Sequence, residues 1–488
     1  MALFRSRVCA VLALCTTTAI ALPAQTFTTL YSFCAETGCA DGQSPGASLV
    51  QATDGNLHGT TRSGGANGDG AVFRISPSGT LTTLYSFCSL AGCVDGESPD
   101  AGLVQATNGD LYGTAGSGGA KGFGTVFRIT LAGSLSTLHS FCSQSGCADG
   151  DSPYGGLVQA SNGYLYGTTS FGGAHGEGTI FRTTPGGTLT TVYNFCSQSK
   201  CADGFDPSGV LVQGTNGDLY GTTQAGGASK GKGTVFQITP SGALTSFYSF
   251  CANESYPYGC EDGYQPWAGP IQGLDGNLYG TTNAGGSANL AGTVYQLTPS
   301  GMLTTLHIFC ALAECADGNF PFAGLVQGTD GNLYGTTSGG GAYASYGTVF
   351  QITPQGTLTT LYSFCAESGC ADGAVPFGGL IQDTNGTFYG TTLADGAYGG
   401  GTVFSVSVGL GPFVETQTAS GNVGAVVKIL GTDLTGATSV TFNGTAADFD
   451  VVSSSLIAAT VPAGATTGTV QVVTPSGTLA SNVPFRVP

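Results

Sequence analysis

The chain has 488 residues, with 12 Lys and Arg against 29 Asp and Glu and a formal net charge of −17. That balance argues against nucleic acid or anionic lipid as a partner. Only 8% of residues are charged, yet 41% are hydrophobic and their pattern alternates with period two, which implies a large packed core rather than disorder.

Residues 1–24 read as a secretory signal: Arg5 and Arg7 form a basic start, residues 8–14 an apolar centre, and Leu22-Pro23-Ala24 a cleavage end. Cys15 offers a lipoprotein alternative, but Leu14 stands before it where a small residue is needed. No later run is long and apolar enough to span a membrane as a helix.

From residue 26 to about 406 a unit of about 54 residues recurs seven times. Its second copy holds four strand-length runs rich in Val, Thr, Tyr and Phe, at 102–106, 110–114, 125–130 and 134–141. An Asx-Gly pair such as Asn108-Gly109 joins the first two runs, as a tight hairpin requires. A Gly-rich loop joins the second and third, and Pro-x-Gly usually joins the last two, as in Pro77-Ser78-Gly79. Four antiparallel strands cannot bury both faces alone, so the repeat predicts an all-β, seven-bladed β-propeller spanning 25–409. A lone strand at 27–33 precedes the first repeat, and the last repeat holds only three, at 379–382, 388–392 and 402–406. The N-terminal strand is therefore expected to complete the last blade, pairing with 402–406 and removing an open edge. A β-solenoid is the alternative, and it leaves the lone strand unexplained.

Sixteen cysteines are present. Beyond Cys9 and Cys15 they fall into local pairs: Cys34 with Cys39, Cys88 with Cys93, Cys142 with Cys147, Cys196 with Cys201, Cys251 with Cys260, Cys310 with Cys315 and Cys365 with Cys370. Disulfides in an oxidising compartment are expected. Zinc is the rival, but one Cys pair per blade with no nearby His makes a poor site.

Residues 412–488 break the pattern. New β runs at 425–430, 439–442, 456–461 and 468–474 fit a small Ig-like β-sandwich. The stretch ILGTDLTGATSVTFNGTAADFDVVSSSLIAATVPAGATTG closely resembles an IPT/TIG domain, a resemblance that implies a spacer or adhesion module.

Three features recur in every repeat. Asp41, Asp95, Asp149, Asp203, Asp262, Asp317 and Asp372 each follow the second cysteine. They read as turn caps, with calcium as the alternative. Gln51, Gln105, Gln159, Gln213, Gln272, Gln327 and Gln382 lie on the innermost strand, where they line the channel or tie neighbouring blades. The residue after the Pro that opens that strand breaks the symmetry: Gly46, Asp100, Tyr154, Ser208, Trp267, Phe322 and Phe377. Tyr264 and Phe320 sit nearby, Tyr256 and Tyr258 fall in the longest blade-to-blade loop, and Tyr343 and Tyr346 in a Gly-rich loop. Tyr154, Tyr264, Trp267, Phe320, Phe322 and Phe377 are the candidate ligand-binding residues, suited to stacking on a sugar or a protein partner. Packing of loop aromatics against neighbouring blades is the alternative.

Catalytic signals are thin. His58, His139 and His307 stand where other repeats have Tyr, and read as packing variants. His175 with Glu177, and Glu261 beside Asp262, form no recognisable motif. No cofactor or metal is expected.

DGNLYGTT followed by GTVFQITPQGTLTTLYSF resembles the Gly-Val-rich repeat of bacterial choice-of-anchor GloVer-repeat proteins, which implies export and surface display; this chain ends at Val487-Pro488 with no sorting anchor. A weaker likeness is to streptogramin-lyase propellers. The expectation is an exported, monomeric binding or adhesion protein with a glycan or surface protein as partner. A structural surface component or a propeller lyase are the alternatives.

Overall fold

The computed structural model describes residues 25–228, 231–251, 260–286, 290–343 and 345–488. The expected signal segment, Tyr256 and Tyr258 lie outside the described residues.

The protein is all-β, built from nine four-stranded antiparallel sheets among the described residues. Seven come from the repeat and form a propeller-like array. In the second sheet the strands are Val104–Gln105, Leu111–Ala115, Thr125–Ile129 and Leu135–Ser140, paired in sequence order. The innermost strand is two residues long, shorter than the five-residue run expected at 102–106. The residues ahead of it leave the ladder and crowd against the neighbouring sheet: a Cβ on Gly102 would meet the Ser48 carbonyl oxygen at 2.9 Å.

The second strand of each repeat is wholly buried, and its central glycine has a packing reason. A Cβ on Gly113 would lie 2.6 Å from the Phe127 ring and 2.8 Å from a Leu103 methyl. Its absence lets Phe127 lie across the strand. The third and fourth strands carry a bulge at one equivalent place, Val126/Phe127 here, which bends the outer edge and adds twist.

The seventh sheet joins the chain ends. Its strands are Ile381–Gln382, Phe388–Thr392, Thr402–Ser407 and the N-terminal Thr26–Ser32. Phe27 faces Val406 and Ser32 faces Thr402, so the expected pairing is present.

The core lies between sheets. Phe33, fully buried, packs edge-on against Phe73 of the first sheet at 5.2 Å. Phe87 meets Phe127 of the second sheet at 5.2 Å, and the series runs round to Phe364 against Phe404 at 5.1 Å. One apolar cluster joins Leu49, Leu57 and Phe73 of the first sheet to Tyr389 and Val403 of the seventh.

The remaining two sheets lie in the C-terminal segment. One contains Glu415–Thr416, Val426–Leu430, Leu456–Thr460 and Phe449–Ser453; the other Thr445–Ala446, Ser439–Phe442, Val470–Thr474 and Gly477–Ala480. They share one core that includes Ile429, Val440, Phe442, Ile457, Val472 and Phe485.

Candidate functional site

The disulfides come first, because they shape the loops. All seven expected pairs are bonded: Cys34 to Cys39, Cys88 to Cys93, Cys142 to Cys147, Cys196 to Cys201, Cys251 to Cys260, Cys310 to Cys315 and Cys365 to Cys370. They are structural and take no part in the cavities described below. The second cysteine of each pair also holds the Gly-rich loop of its own repeat. The Cys39 carbonyl accepts the Gly65 N–H at 2.9 Å, Cys93 accepts Gly119 at 2.8 Å, and Cys147 accepts Gly173 at 2.9 Å. Cys201 and Cys315 accept Gly227 and Gly341, both at 2.9 Å, while Cys260 accepts Gly286 at 2.7 Å and Cys370 accepts Gly396 at 3.0 Å. To aim those carbonyls, Cys39, Cys93, Cys147, Cys201, Cys315 and Cys370 take left-handed backbone, with φ from 50° to 55°.

Each disulfide sits beside its Asp, and that carboxylate is committed to the loop. Asp95, 1% exposed, accepts the Ser89 and Leu90 N–H groups at 2.9 and 3.2 Å and the Tyr85 hydroxyl at 2.8 Å. In two repeats a histidine takes the tyrosine's place, with His139 Nε2 2.9 Å from Asp149 and His307 Nε2 3.0 Å from Asp317. These aspartates are turn caps, held by their own loop and by the outer strand that leads into it, and those histidines are parts of the same caps. His58 is buried against Asp54 at 3.2 Å, a contact that helps hold the Asp54 carboxyl down at about 2 against the cost of burial.

The glutamines tie sheet to sheet. Each Gln oxygen accepts a backbone N–H from the inner hairpin of the preceding sheet: Thr53 to Gln105 at 2.9 Å, Thr107 to Gln159 at 2.8 Å, and so on round to Thr384, which donates to Gln51 at 3.0 Å. A second circuit has no counterpart in the sequence reading. The Thr next to last in each second strand donates to a carbonyl of the next sheet's inner segment, from Thr60 to Ala101 at 2.9 Å through to Thr391 to Ala47 at 3.0 Å. Its invariance along the repeat was the available signal.

At the glutamine end the C-terminal sheets are seated. Ser455 Oγ donates to the Thr53 carbonyl at 3.2 Å, Lys428 Nζ to Thr107 at 3.0 Å, and Arg486 Nη1 to Thr215 at 3.3 Å. A cavity of about 310 Å³ remains there, lined by Gln51, Gln105, Gln327, Gln382 and Glu415 among others. Asp383 stands where other repeats have Ala or Gly, as at Ala52 and Gly214. It is 1% exposed, and Oδ2 has no hydrogen-bond partner among the described residues. Burial pushes its carboxyl up to about 6, against the Asn385 N–H. Glu415 lines the cavity with its side chain open to it; the protein crowded around it and then the Asp383 charge push its carboxyl up to about 7.

The opposite end opens into a cavity of about 840 Å³. Trp267, Phe322 and Phe377, from three consecutive sheets, form one wall. Trp267 meets Phe322 edge-on at 5.4 Å, and Phe322 stacks on Phe377 at 4.5 Å. Tyr154 also lines the cavity, fitting over Gly116, where a Cβ would lie 2.8 Å from its ring. Tyr264 and Phe320 are outside that lining. They precede the prolines rather than follow them: Tyr264 bridges to Ala284 with Lys232 Nζ 4.4 Å above its ring, and Phe320 sits at φ 55° with 40% of its surface exposed. Tyr343 and Tyr346 are exposed and also outside the lining.

The other wall is polar. Arg62 Nε lies 3.2 Å from Asp100 Oδ1, and Gln224 Nε2 donates to Ser208 Oγ at 2.7 Å. Burial raises the Asp100 carboxyl above its usual range, with Arg62 opposing. Burial likewise raises Asp206; the Ser170 hydroxyl opposes and Glu177 adds. Ser170 is 2% exposed, and its hydroxyl lies beside the Asp206 carboxylate. Arg62, Ser170 and Gln224 were missed by sequence reasoning. All three stand directly after the second strand, at a position that varies from repeat to repeat: Arg62, Gly116, Ser170, Gln224, Asn283, Ser338 and Leu393. That variation was a readable signal. His175 is exposed and, like Glu261, is absent from this wall.

No helix among the described residues is long and apolar enough to cross a membrane. No curated protein matches the chain. Among solved structures it is similar to the extracellular domain of a protein described as the one component system BT4673 from B. thetaiotaomicron, at 13% identity and a TM-score of 0.50. That match covers 95% of this chain and 58% of that one, and at such identity it speaks to fold alone. The PQQ-bound aldose sugar dehydrogenase from Streptomyces coelicolor is 14% identical, with 63% of this chain and 93% of that chain covered and a TM-score of 0.39. The family described as Gloeobacter/Verrucomicrobia repeat matches residues 16–148, 143–260 and 255–450, and the chain belongs to it.

Proposed function

We propose that this chain is an exported recognition protein. Residues 25–409 form a seven-bladed propeller, the mouth of that propeller seats a ligand, and residues 412–488 form an IPT/TIG-type Ig-like domain capping the opposite end. Residues 1–24 direct export, and the mature protein is a secreted or surface-displayed monomer. Seven disulfides favour an oxidising compartment. The two hydrogen-bond circuits and the pairing of Thr26–Ser32 with Thr402–Ser407 support a closed ring.

One observation carries the functional reading. The glutamines and threonines that tie sheet to sheet recur in every repeat, whereas the side chains that reach into the mouth past a near-constant Gly and Leu lining vary at two positions, so the variation serves something outside the repeat's own packing. Mouth variants Trp267→Ala and Phe322→Ala, with unfolding checked by circular dichroism, should abolish or weaken capture of the partner from glycan and surface-protein panels. Capture indifferent to both would leave the structural-component reading. A hydrolytic reading draws on the raised Asp100 and Asp206 carboxyls at the wall. Turnover of a bound ligand, lost in Asp206→Asn, would favour it.

A further inference from the structure

Resting on the reading of the mouth as a ligand seat, we infer that its ligand is an uncharged saccharide. The two walls differ in the way the two aspects of a pyranose ring differ. Such a ring offers a C–H face that stacks on aromatic surface and a rim of hydroxyls that must keep hydrogen bonds when they leave water. Trp267, Phe322 and Phe377 supply a continuous aromatic wall. Asp100, Asp206, Ser170 and Gln224 face the same cavity from the other sheets and supply acceptors and donors. Ser170 Oγ is buried and faces the cavity beside the Asp206 carboxylate that its hydroxyl stabilises. With its proton turned to Asp206, the Ser170 oxygen keeps its lone pairs for a ligand hydroxyl.

Size and charge narrow the class. A cavity of about 840 Å³ falls in the usual range for small-ligand sites and holds the end of an oligosaccharide. Arg62 is committed to Asp100, so Asp206 is left as an uncompensated carboxylate on the polar wall. A uronate, sialate or sulfate would meet that charge and the field of a chain carrying −17. A neutral sugar meets only hydrogen-bonding groups, and a carboxylate accepting a hydroxyl makes a strong, directional contact.

The test uses the full disulfide-bonded chain on an array of neutral and acidic glycans, followed by calorimetric titration of the best neutral binder at low and high salt. Neutral glycans should bind, with an affinity that barely moves with salt. Trp267→Ala should weaken binding by about 5- to 150-fold. Asp206→Asn, which keeps shape and removes charge, should weaken it several-fold and admit acidic glycans. Binding confined to acidic glycans, but still lost in Trp267→Ala, overturns the uncharged class and leaves the mouth as the seat. Neutral binding that survives Trp267→Ala, Phe322→Ala and Asp206→Asn in folded protein overturns the seat itself. A folded chain that binds no glycan but captures a protein through Trp267 overturns the saccharide and keeps the seat.

Discussion

The two ends of the propeller-like array are made from the same repeat, a few residues apart in the same inner segment, and they differ in what the repeat keeps fixed. At one end every sheet presents a glutamine, and each glutamine is used up by the neighbouring hairpin. At the other end the sheets present Gly46, Asp100, Tyr154, Ser208, Trp267, Phe322 and Phe377, and several of these groups face open space. Sevenfold chemistry suits a job done seven times, which is joining sheets. A mouth with an aromatic wall and a polar wall suits a single asymmetric visitor. The one acid that breaks symmetry at the glutamine end, Asp383, lies in the repeat that leads into the C-terminal sheets, so even there asymmetry marks contact with something outside the ring.

The contrast can be broken most severely at the closure. Deleting Thr26–Ser32 removes the pairing partner of Thr402–Ser407 and exposes an edge. The expected outcome is loss of cooperative thermal unfolding and a shift to aggregates in size-exclusion chromatography. Reduction comes next. Six of the disulfides close loops of five-residue separation, each contributing about 2 kcal/mol in the chain-entropy model. Dithiothreitol should lower Tm sharply, while alkylation of the unreduced, denatured protein should label none of the fourteen pairing cysteines.

Single-residue changes should then separate the two ends. Gln105→Ala leaves the Thr53 N–H without its acceptor and should cost about 1–3 kcal/mol of stability in denaturant titration, with ligand affinity unchanged. Trp267→Ala should do the reverse, lowering affinity by about 1–3 kcal/mol with little change in Tm. Equal effects of both changes on stability and binding would erase the distinction.

The smallest expected effect concerns pH. Asp383 and Glu415 are raised to about 6 and about 7, above the ordinary carboxylate range near 4. The folded state therefore binds more protons than the unfolded chain between about pH 4 and 7. Their contribution is present in full below about pH 4 and is lost as pH rises through about 6 and 7. Tm followed from pH 5 to pH 8 should fall on this account, and Asp383→Asn should flatten the fall and raise Tm at pH 8. A parallel fall in the variant would mean that these acids do not set the slope.

Much of the propeller-like array was legible because its signals are local. Asn108-Gly109, the cysteine pairs and the alternating Val and Thr each fix a turn or a strand within a few residues. The lone strand at 27–33 was readable by arithmetic, since one repeat was short by one strand. The inner strands were overestimated because crowding near the axis, seen at Gly102, is set by a neighbouring repeat. Half of the mouth was visible from the residues after the prolines. Of its polar half, Asp100 and Ser208 stood at that same position, but Arg62, Ser170 and Gln224 were not seen, because partners such as Arg62 and Asp100 come from different sheets and meet only when the sheets pack. Tyr264 and Phe320 show the converse error: closeness in sequence to Trp267 and Phe322 did not bring them to the cavity, because their places before the prolines put them outside the lining. The Asp383–Glu415 neighbourhood depends on where the C-terminal sheets are seated, which no repeat pattern encodes.

The pairing of the first strand with the last repeat has a consequence in time. Every hairpin of the ring joins residues close in sequence and can form within microseconds of collapse. Ser32 and Thr402 meet only after all the intervening chain exists. During synthesis or export, sheets can form one after another while Phe33 waits for its partners and the last repeat still lacks its outer edge. Long-range pairing of this kind is slow, because loop closure must precede any gain from the contact. Refolding is expected to show a fast phase in strand content and a slower one when the ends meet, and only the slow phase should quicken if the same sequence is circularly permuted to begin at residue 45.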